Sequence, residues 1–531
     1  MFRALSNTGR LLKAARKLAA YEALIPIEFE REMPGWAKFG ARVLRIGAKR
    51  QGEDGDTPEA QATRLAQALQ ELGPTYIKLG QFLATRPDLV GDGIANGLNV
   101  LQDRLPPFGS AEAEFRIARD LGKPVKDLFS AFGDPIAAAS IAQVHQATTT
   151  EGKIVAVKVL RPDIEYRFRK DLEAFFFAAR LAEEFKPSLK RLEPVKAIET
   201  LKASVDQEMD LRLEAAAATQ MAENTVQDEE FVVPEVDWTR TGHSVLTTDW
   251  VSGSSLRNAD ELKEAGHDPK KIANLVIQSF LTHALRDGFF HADMHPGNLF
   301  VDEEGRLVAV DFGIMGRLSK AERRFMAETL YGFLCRDYTR VAQVHFDIGY
   351  VPPSKSREDF ALALRSVGER IHGREVSEIS MAGLLGQLFE ITRSFDMHMQ
   401  PSLLLLQKTM VVVEGVARTL DPEHNIWEAS RPVVERFMTD YMGPEARLRE
   451  ATDAAGHLAR IATRLPDMIE KLEEAAVVVT DMVDDDGVRL HPDTARDIGE
   501  AEARRTRSGR IAMWVGASAL AVMALAAVFG G

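Results

Sequence analysis

Apolar and polar positions change period along this chain, and the changes divide it into stretches. In Pro58–Leu72, Ala62, Leu65, Leu69 and Leu72 recur on one helical face. Gly109-Ser-Ala-Glu-Ala-Glu114 opens another helix, with Ser110 as its cap and acids in the first turn. From Pro135 the period shortens. Ile154-Val-Ala-Val-Lys-Val-Leu160 is a β-rich run after the turn Glu151-Gly152, and Ser140–Ala147 is the strand before it, so a hairpin is predicted. Residues 163–229 return to helix. Phe231-Val-Val233 and Ser244–Val251 read as strands. Helices follow from Pro269 to about Arg286 and from Ala321 to about Val479. Between them, Asn298-Leu-Phe-Val301 and Leu307-Val-Ala-Val310 flank the turn Asp302-Glu-Glu-Gly305, a second hairpin.

The pattern predicts an α+β chain, with a small strand-rich lobe followed by a larger helical lobe and the second hairpin at their join. The expected divisions are a basic helical segment with linker (1–57), a helical extension (58–125), the small lobe with a helical insert (126–252), the helical lobe (253–480), a polar linker (481–510) and an apolar tail (511–529). Ile511–Phe529 carries no charge and follows Arg504, Arg505, Arg507 and Arg510. As a helix it spans about 29 Å, close to the ~30 Å hydrocarbon core of a bilayer. The arginines predict a tail anchor with the body on the cytoplasmic face of an inner membrane.

Composition narrows the classes. Hydrophobic residues make up 45% of the 531, which fits a globular chain, and the net charge of −13 opposes general binding of nucleic acid. The single cysteine, Cys335, excludes an intrachain disulfide framework. Residues 1–50 are locally basic, and Leu11, Leu12, Ala15, Leu18 and Ala19 recur at helical spacing among Arg10, Lys13, Arg16 and Lys17. An ordinary surface helix and a helix lying on an anionic membrane both fit that pattern.

The chemistry concentrates in His291-Ala-Asp-Met-His-Pro-Gly-Asn298 and Asp311-Phe-Gly313. Phosphoryl transfer from ATP needs one carboxylate to orient or take the proton of the nucleophile, here Asp293. It needs an amide oxygen and a second carboxylate for Mg²⁺, here Asn298 and Asp311. Lys158 sits in an apolar strand where it can reach the phosphates, and a buried lysine needs a carboxylate partner. Glu214 is the first candidate, with Glu208 and Asp210 as competitors. Thr248-Asp-Trp-Val251 supplies a possible hinge, with Asp249 and Val251 as adenine-side candidates. The order lysine, glutamate, hinge, Asp, Asn, Asp matches a protein-kinase-like two-lobe fold. His291 and His295 flank Asp293, but Pro296-Gly297 makes the segment a loop rather than a helix presenting both rings on one face, so metal ligation is not expected of them, and likeness to kinase-like folds implies a packing role for His291.

Lys78-Leu-Gly-Gln81, the alanine-rich run Ile136-Ala-Ala-Ala-Ser-Ile-Ala-Gln-Val144, the 291–298 loop and Asp311-Phe-Gly313 together resemble the UbiB/ADCK family of atypical kinase-like proteins. The motifs cover roughly residues 20–350. The resemblance implies that Ile136, Ala137, Ala138, Ala139, Ser140, Ile141, Ala142, Gln143 and Val144 form the nucleotide loop, in place of a glycine-rich one. Alanine restricts φ where glycine would not, which predicts a stiffer lid. The resemblance also implies that the segment around Lys78 and Gln81 folds over the side where a protein substrate would lie. Lys78 would then pair with Glu208 and Asp210, leaving Glu214 for Lys158. Ala292 replaces the arginine that many protein kinases carry there, and no Ala-Pro-Glu follows Gly313.

The phosphate site and the apolar tail point to a membrane-anchored, Mg²⁺-dependent ATPase or small-molecule kinase, and the resemblance implies that it supports ubiquinone biosynthesis, working with a prenylated quinone precursor and other enzymes of that route. A nucleotide-gated scaffold and a true protein kinase are the alternatives. Direct hydroxylation lacks support: there is no GxGxxG after a strand and no two-histidine, one-carboxylate iron site.

Overall fold

The computed structural model describes residues 2–21, 58–84, 105–185, 193–373 and 400–442, with shorter stretches between and beyond them. The chain divides into two compact units, Met1–Thr439 and Asp440–Gly531. In the second, Val483–Asp484 pairs antiparallel with Gly487–Val488. The apolar tail 511–529 and the linker before it lie outside the described residues. Among the described residues no helix is long and apolar enough to cross a membrane.

The first unit opens with helices α1 (Phe2–Ala20), α2 (Pro58–Leu72), α3 (Pro74–Ala84), α4 (Asp92–Leu98) and α5 (Ser110–Leu121). The acid-rich start of α5 was read correctly, but Ser110 is its first residue and Gly109 its cap, with no side-chain bond. On α1 the buried residues are Ala14 and Ala19, while Leu12 is exposed. Arg10 pairs with Asp171 and Lys17 with Glu71, so this face of the helix is docked on the protein.

Strands β1 (Phe129–Ala138), β2 (Ala142–Thr149), β3 (Ile154–Leu160) and β5 (Val245–Asp249) form an antiparallel sheet in the order β1-β2-β3-β5. Period-2 alternation explains its two faces. Val155, Val157 and Val159 are buried with Ala113 and Ile117, the i and i+4 positions of α5. Lys158 faces the other way, opposite Val144 on one side and Leu246 on the other.

The expected β2–β3 hairpin is present, shifted two residues along at its first strand. β1 was not anticipated before Pro135. It is an edge strand, irregular between Phe129 and Ala137, and an edge tolerates its Gly133 and Pro135. The nine-residue nucleotide loop is correspondingly shorter. Ile136–Ala138 belong to β1 and Ala142–Val144 to β2, which leaves a turn of Ala139, Ser140 and Ile141.

Helices α6 (Ile164–Phe185), α7 (Pro194–Glu208) and α8 (Leu211–Asn224) fill the predicted helical stretch. Their apolar faces share one core with α2, α3 and α4, including Leu69, Tyr76, Leu98, Phe168, Leu201 and Val205. Gly80 in α3 lets the leucines pack closely: a Cβ there would lie 2.3 Å from the tip of Leu101 and 2.7 Å from the tip of Leu69, so both side chains would have to shift.

The helical lobe is built on α9 (Pro269–Thr282), α10 (Lys320–Cys335), α11 (Tyr338–Asp347), α12 (Arg357–Gly373), α13 (Pro401–Leu420) and α14 (Ile426–Met442). Short strands carry the site. β4 (Phe231–Val232), β6 (Ser254–Ser255), β8 (Leu299–Val301) and β9 (Leu307–Ala309) form a sheet in the order β4-β9-β8-β6. β7 (Phe289–His291) pairs with β10 (Met315–Arg317). The hairpin predicted at 298–310 is thus β8–β9, while the β7–β10 pair was not foreseen. Leu299, Val301, Leu307 and Ala309 are buried against α9 and α13 in the largest core of the molecule.

Candidate active site

Three charged groups meet where the two lobes join. The Lys158 ammonium donates to both Glu214 oxygens, at 2.8 and 3.0 Å, and lies 3.0 Å from Asp311 Oδ1. Each comes from a different part of the chain: strand β3, the first turn of α8, and the second residue after β9. Asp210 caps α8 by accepting from the Arg212 backbone N–H at 3.1 Å, so Glu214 stands one turn in and faces the sheet. Burial opposes the charge on Lys158, but Asp311 and Glu214 outweigh it and hold its pKa above the usual lysine range. Burial pushes the Glu214 carboxyl up to about 7 against the pull of Lys158. Burial also opposes ionisation of Asp311, yet Lys158 holds that carboxyl well below its ordinary range. Asp311 is nevertheless 46% exposed on its side chain, so solvent moderates this pull and a cation can reach the carboxylate.

Asp311 takes the left-handed backbone conformation, at φ +63°. Gly313 follows with its Cα against that carboxylate: a Cβ would sit 3.3 Å from Asp311 Oδ1 and 3.9 Å from Glu214 Oε2. Phe312 between them is buried beside the His291 ring, 5.3 Å between centroids.

The 291–298 loop is tied to this segment by backbone bonds. Val310 N–H donates to Asn298 O at 2.9 Å, and Ala292 N–H to Ile314 O at 3.0 Å. Thr409 of α13 donates to Ala292 O at 3.2 Å. His291 is fully engaged. Its Nδ1 accepts from Asp293 N–H at 3.1 Å, so Nε2 carries the proton and donates to Val310 O at 3.0 Å. Burial pushes its pKa down, which keeps the ring neutral. His295 Nδ1 accepts from Gly297 N–H at 2.9 Å. With these nitrogens occupied, His291 serves packing and loop shape, as the proline and glycine of the loop suggested.

Asp293 is half-buried, and the Asn298 amide nitrogen donates to its carbonyl at 3.1 Å and lies 3.4 Å from its Oδ2. That fixes the amide, leaving the Asn298 oxygen as the atom to face a cation. One amide oxygen and one accessible carboxylate are hard donors suited to Mg²⁺, which keeps most of its shell for waters and phosphate oxygens. Among the described residues no group of three or more His, Cys, Asp or Glu could hold a metal alone. The residues therefore fit a Mg²⁺ that arrives with phosphate and do not form a closed protein cage.

The remaining candidates divide. Lys78 Nζ lies 2.7 Å from Glu208 Oε2, both side chains being only 12% exposed. Asp210, expected to share that role, instead holds Arg212 through both oxygens while capping α8. Gln81 Nε2 reaches Leu101 O at 3.5 Å. Asp249 ends β5 and pairs with Lys153 at 2.6 Å, and its N–H donates to Glu235 O, so Asp249 belongs to the sheet edge. Val251 follows outside the strand. In the turn, Ile136 and Ala137 are exposed, Ala138 and Ala139 are half-buried, and Ser140, Ile141, Ala142 and Gln143 are buried. Gln143 was expected to face nucleotide, but its side chain binds the Phe108 backbone instead. Arg161, which binds the Ala139 carbonyl, was missed. Its only sequence signal was a cation between the end of β3 and Pro162.

Residues 100–345 match the model of the ABC1 atypical kinase-like domain, and residues 364–425 match the UbiB helical domain. A probable protein kinase UbiB from Marinobacter nauticus is 40% identical over 421 residues, covering 78% of this chain and 76% of that protein. One from Pseudomonas paraeruginosa is 39% identical over 416 residues, covering 77% and 78%. A solved structure, the Rv3197–erythromycin complex from Mycobacterium tuberculosis, aligns at a TM-score of 0.49 with 22% identity over 75% of this chain and 98% of that one. The chain is a kinase-like enzyme that belongs to the UbiB family of ABC1 atypical kinase-like proteins.

Proposed function

We propose that this chain binds Mg–ATP between its lobes and transfers the terminal phosphoryl group to water or a small-molecule hydroxyl, in support of ubiquinone biosynthesis. One observation carries the reading: the Lys158 ammonium lies 2.8 Å from Glu214 and 3.0 Å from Asp311, beside the Asp293–Asn298 loop. Lys158 would hold the phosphates, with Glu214 fixing its position. Asp293 would orient the nucleophile and take its proton while the bond from the γ-phosphorus to ADP breaks. A Mg²⁺ held by Asn298 and Asp311 would offset the negative charge of the phosphates. The run Ile136–Val144, with its turn Ala139–Ile141, would cover the phosphates, and Val251 would lie on the adenine side.

Water or a small molecule is favoured over a protein hydroxyl as acceptor. The Lys78–Glu208 contact fastens the α3 extension to the end of α7, directly before the helix that carries Glu214. That supports an extension standing where a peptide would dock. The pathway follows from the family, whose curated members are named probable protein kinases UbiB. The arginine-flanked apolar run 511–529 supports a tail anchor in the inner membrane, where prenylated quinone precursors reside. Other enzymes of that route are the proposed protein partners, and nucleic acid is not one. The six divisions given by the sequence, from 1–57 to 511–529, are retained as the proposed domain scheme.

The test is ATP turnover by the intact chain, with and without anionic liposomes carrying a quinone precursor, for wild type, Lys158→Arg, Asp293→Asn and Asp311→Asn. Turnover by wild type that all three substitutions abolish is expected. Full turnover in Asp293→Asn would remove the assigned base, and rescue of a deletion strain by that variant would favour the scaffold.

A further inference from the structure

The turn Ala139–Ser140–Ile141 is bonded by Arg161 from outside it, and Gln143, two residues past its end, bonds segment 105–108. Arg161 donates to the Ala139 carbonyl twice, from Nε at 3.0 Å and from Nη2 at 2.8 Å, and its backbone N–H reaches Ile141 O at 2.8 Å. The same guanidinium donates to Leu105 O at 3.3 Å and lies 5.8 Å from the centre of the Phe108 ring. Gln143 grips the other end of that segment. It accepts from Phe108 N–H at 2.9 Å and donates to Phe108 O at 3.2 Å. Its second amide hydrogen meets His145 Nε2 at 2.8 Å, so His145 Nδ1 carries the ring proton and donates to Gly133 O at 2.8 Å.

Residues 105–108, Leu-Pro-Pro-Phe, lie between the α3–α4 extension and α5. A few residues earlier, Leu101 packs at Gly80, and its carbonyl faces Gln81. The turn holds no glycine, and Ala139 has its N–H on Ala142 O and its carbonyl on Arg161.

We infer that Arg161 and Gln143 are positioning residues that clasp the alanine-rich turn to segment 105–108, so that the two move as one unit and the turn is held ready for the nucleotide phosphates. A turn already closed loses little freedom on binding, and loosening it weakens affinity rather than the chemical step. The affinity part rests on the nucleotide reading above; the coupling of the two segments does not.

The experiment uses the full chain in detergent or lipid, with Arg161→Ala, Arg161→Lys and Gln143→Leu beside wild type. Amide exchange of Leu105 and Phe108, the two residues of segment 105–108 that carry an N–H, and of residues 136–142 is measured without nucleotide, and Mg–ATP affinity, KM and kcat are measured separately. In Arg161→Ala, exchange of both segments should rise together by about tenfold, and Mg–ATP affinity should weaken by about tenfold. The rise in KM should exceed any change in kcat, and Arg161→Lys, which keeps the charge and one donor direction, should recover part of both effects. Gln143→Leu should open the same two segments. Faster exchange in only one of them would overturn the coupling. Joint opening with unchanged affinity would overturn the positioning role. A wild type that binds no Mg–ATP would overturn the nucleotide reading instead, with the exchange result still deciding the clasp.

Discussion

The two walls of the proposed site are built by opposite means. The wall formed by Lys158, Glu214, Asp311, Asn298 and Asp293 is electrostatic: one cation touches two carboxylates, and the loop below is stitched by its own backbone. The wall formed by the alanine-rich turn holds no ionised residue from Ile136 to Val144, and its shape comes from Arg161 and Gln143 gripping carbonyls and amides. Charge placed by short motifs suits a wall that must meet phosphate and metal. A clasp of neutral backbone groups suits a wall that must keep its shape. Substitutions on the first should damage turnover and alter the response to pH; those on the second should damage affinity and local order.

Lys158→Met gives the largest contrast. It leaves Glu214 and Asp311 facing each other without the cation, and turnover should fall on the order of a thousandfold. Steady-state ATPase assays measure this, and a loss below tenfold would show that the charged wall is not the centre of the chemistry.

The pH response of Glu214 comes next. Its carboxyl is raised from 4.5 to about 7 in the folded chain. Between those values the folded chain binds more protons than the unfolded one, so this group's favourable contribution is complete below pH 4.5 and lost as pH passes 7. Glu214→Gln should remove up to about 3 kcal/mol of that dependence. Urea titrations from pH 4.5 to 8 should therefore show a flatter stability profile in the variant; an identical slope would reject the assignment.

Lys78→Met strips a largely buried carboxylate, Glu208, of a cation at 2.7 Å. The expected cost is about 2 kcal/mol, with earlier proteolysis within the extension, read by thermal melting and limited digestion. The loss should be shared by Glu208→Gln, and the double variant should cost less than the sum of the two.

Ser140→Ala is the subtlest case. Ser140 is fully buried in the turn, and its hydroxyl has no hydrogen-bond partner. Its removal should change the stability of the free chain by less than about 0.5 kcal/mol, since no bond is lost. If that hydroxyl serves a phosphate oxygen, Mg–ATP affinity should still weaken by about tenfold. A destabilised free chain with normal affinity would make the serine a packing residue.

The difference between the walls also explains what could be read from sequence. Asp293, Asn298 and Asp311 sit within one short stretch, so spacing alone marked them as candidates, and the β8–β9 hairpin between Asn298 and Asp311 was legible from the same stretch. Lys158 stood out because a charge in an apolar strand requires a partner. Glu214 took that partnership and Glu208 took Lys78, whereas Asp210 is a helix cap, a role any residue before α8 with its acid type could fill. β1 was missed where an edge strand with Gly133 and Pro135 breaks the alternation. The clasp was invisible because Arg161 and Gln143 bind main-chain atoms, and carbonyls leave no pattern of residue types. The β7–β10 pair was missed because three-residue strands carry too little periodicity.

The most direct test of the Mg–ATP site is calorimetric titration of the full chain with ATP, with and without Mg²⁺, for wild type, Asp311→Asn and Asp293→Asn. Wild type should bind ATP more tightly with Mg²⁺, Asp311→Asn should lose that Mg²⁺ dependence, and Asp293→Asn should keep both affinity and Mg²⁺ dependence while losing turnover. Equal Mg²⁺ dependence in wild type and Asp311→Asn would contradict the assignment of Asp311 and the charged wall built around it.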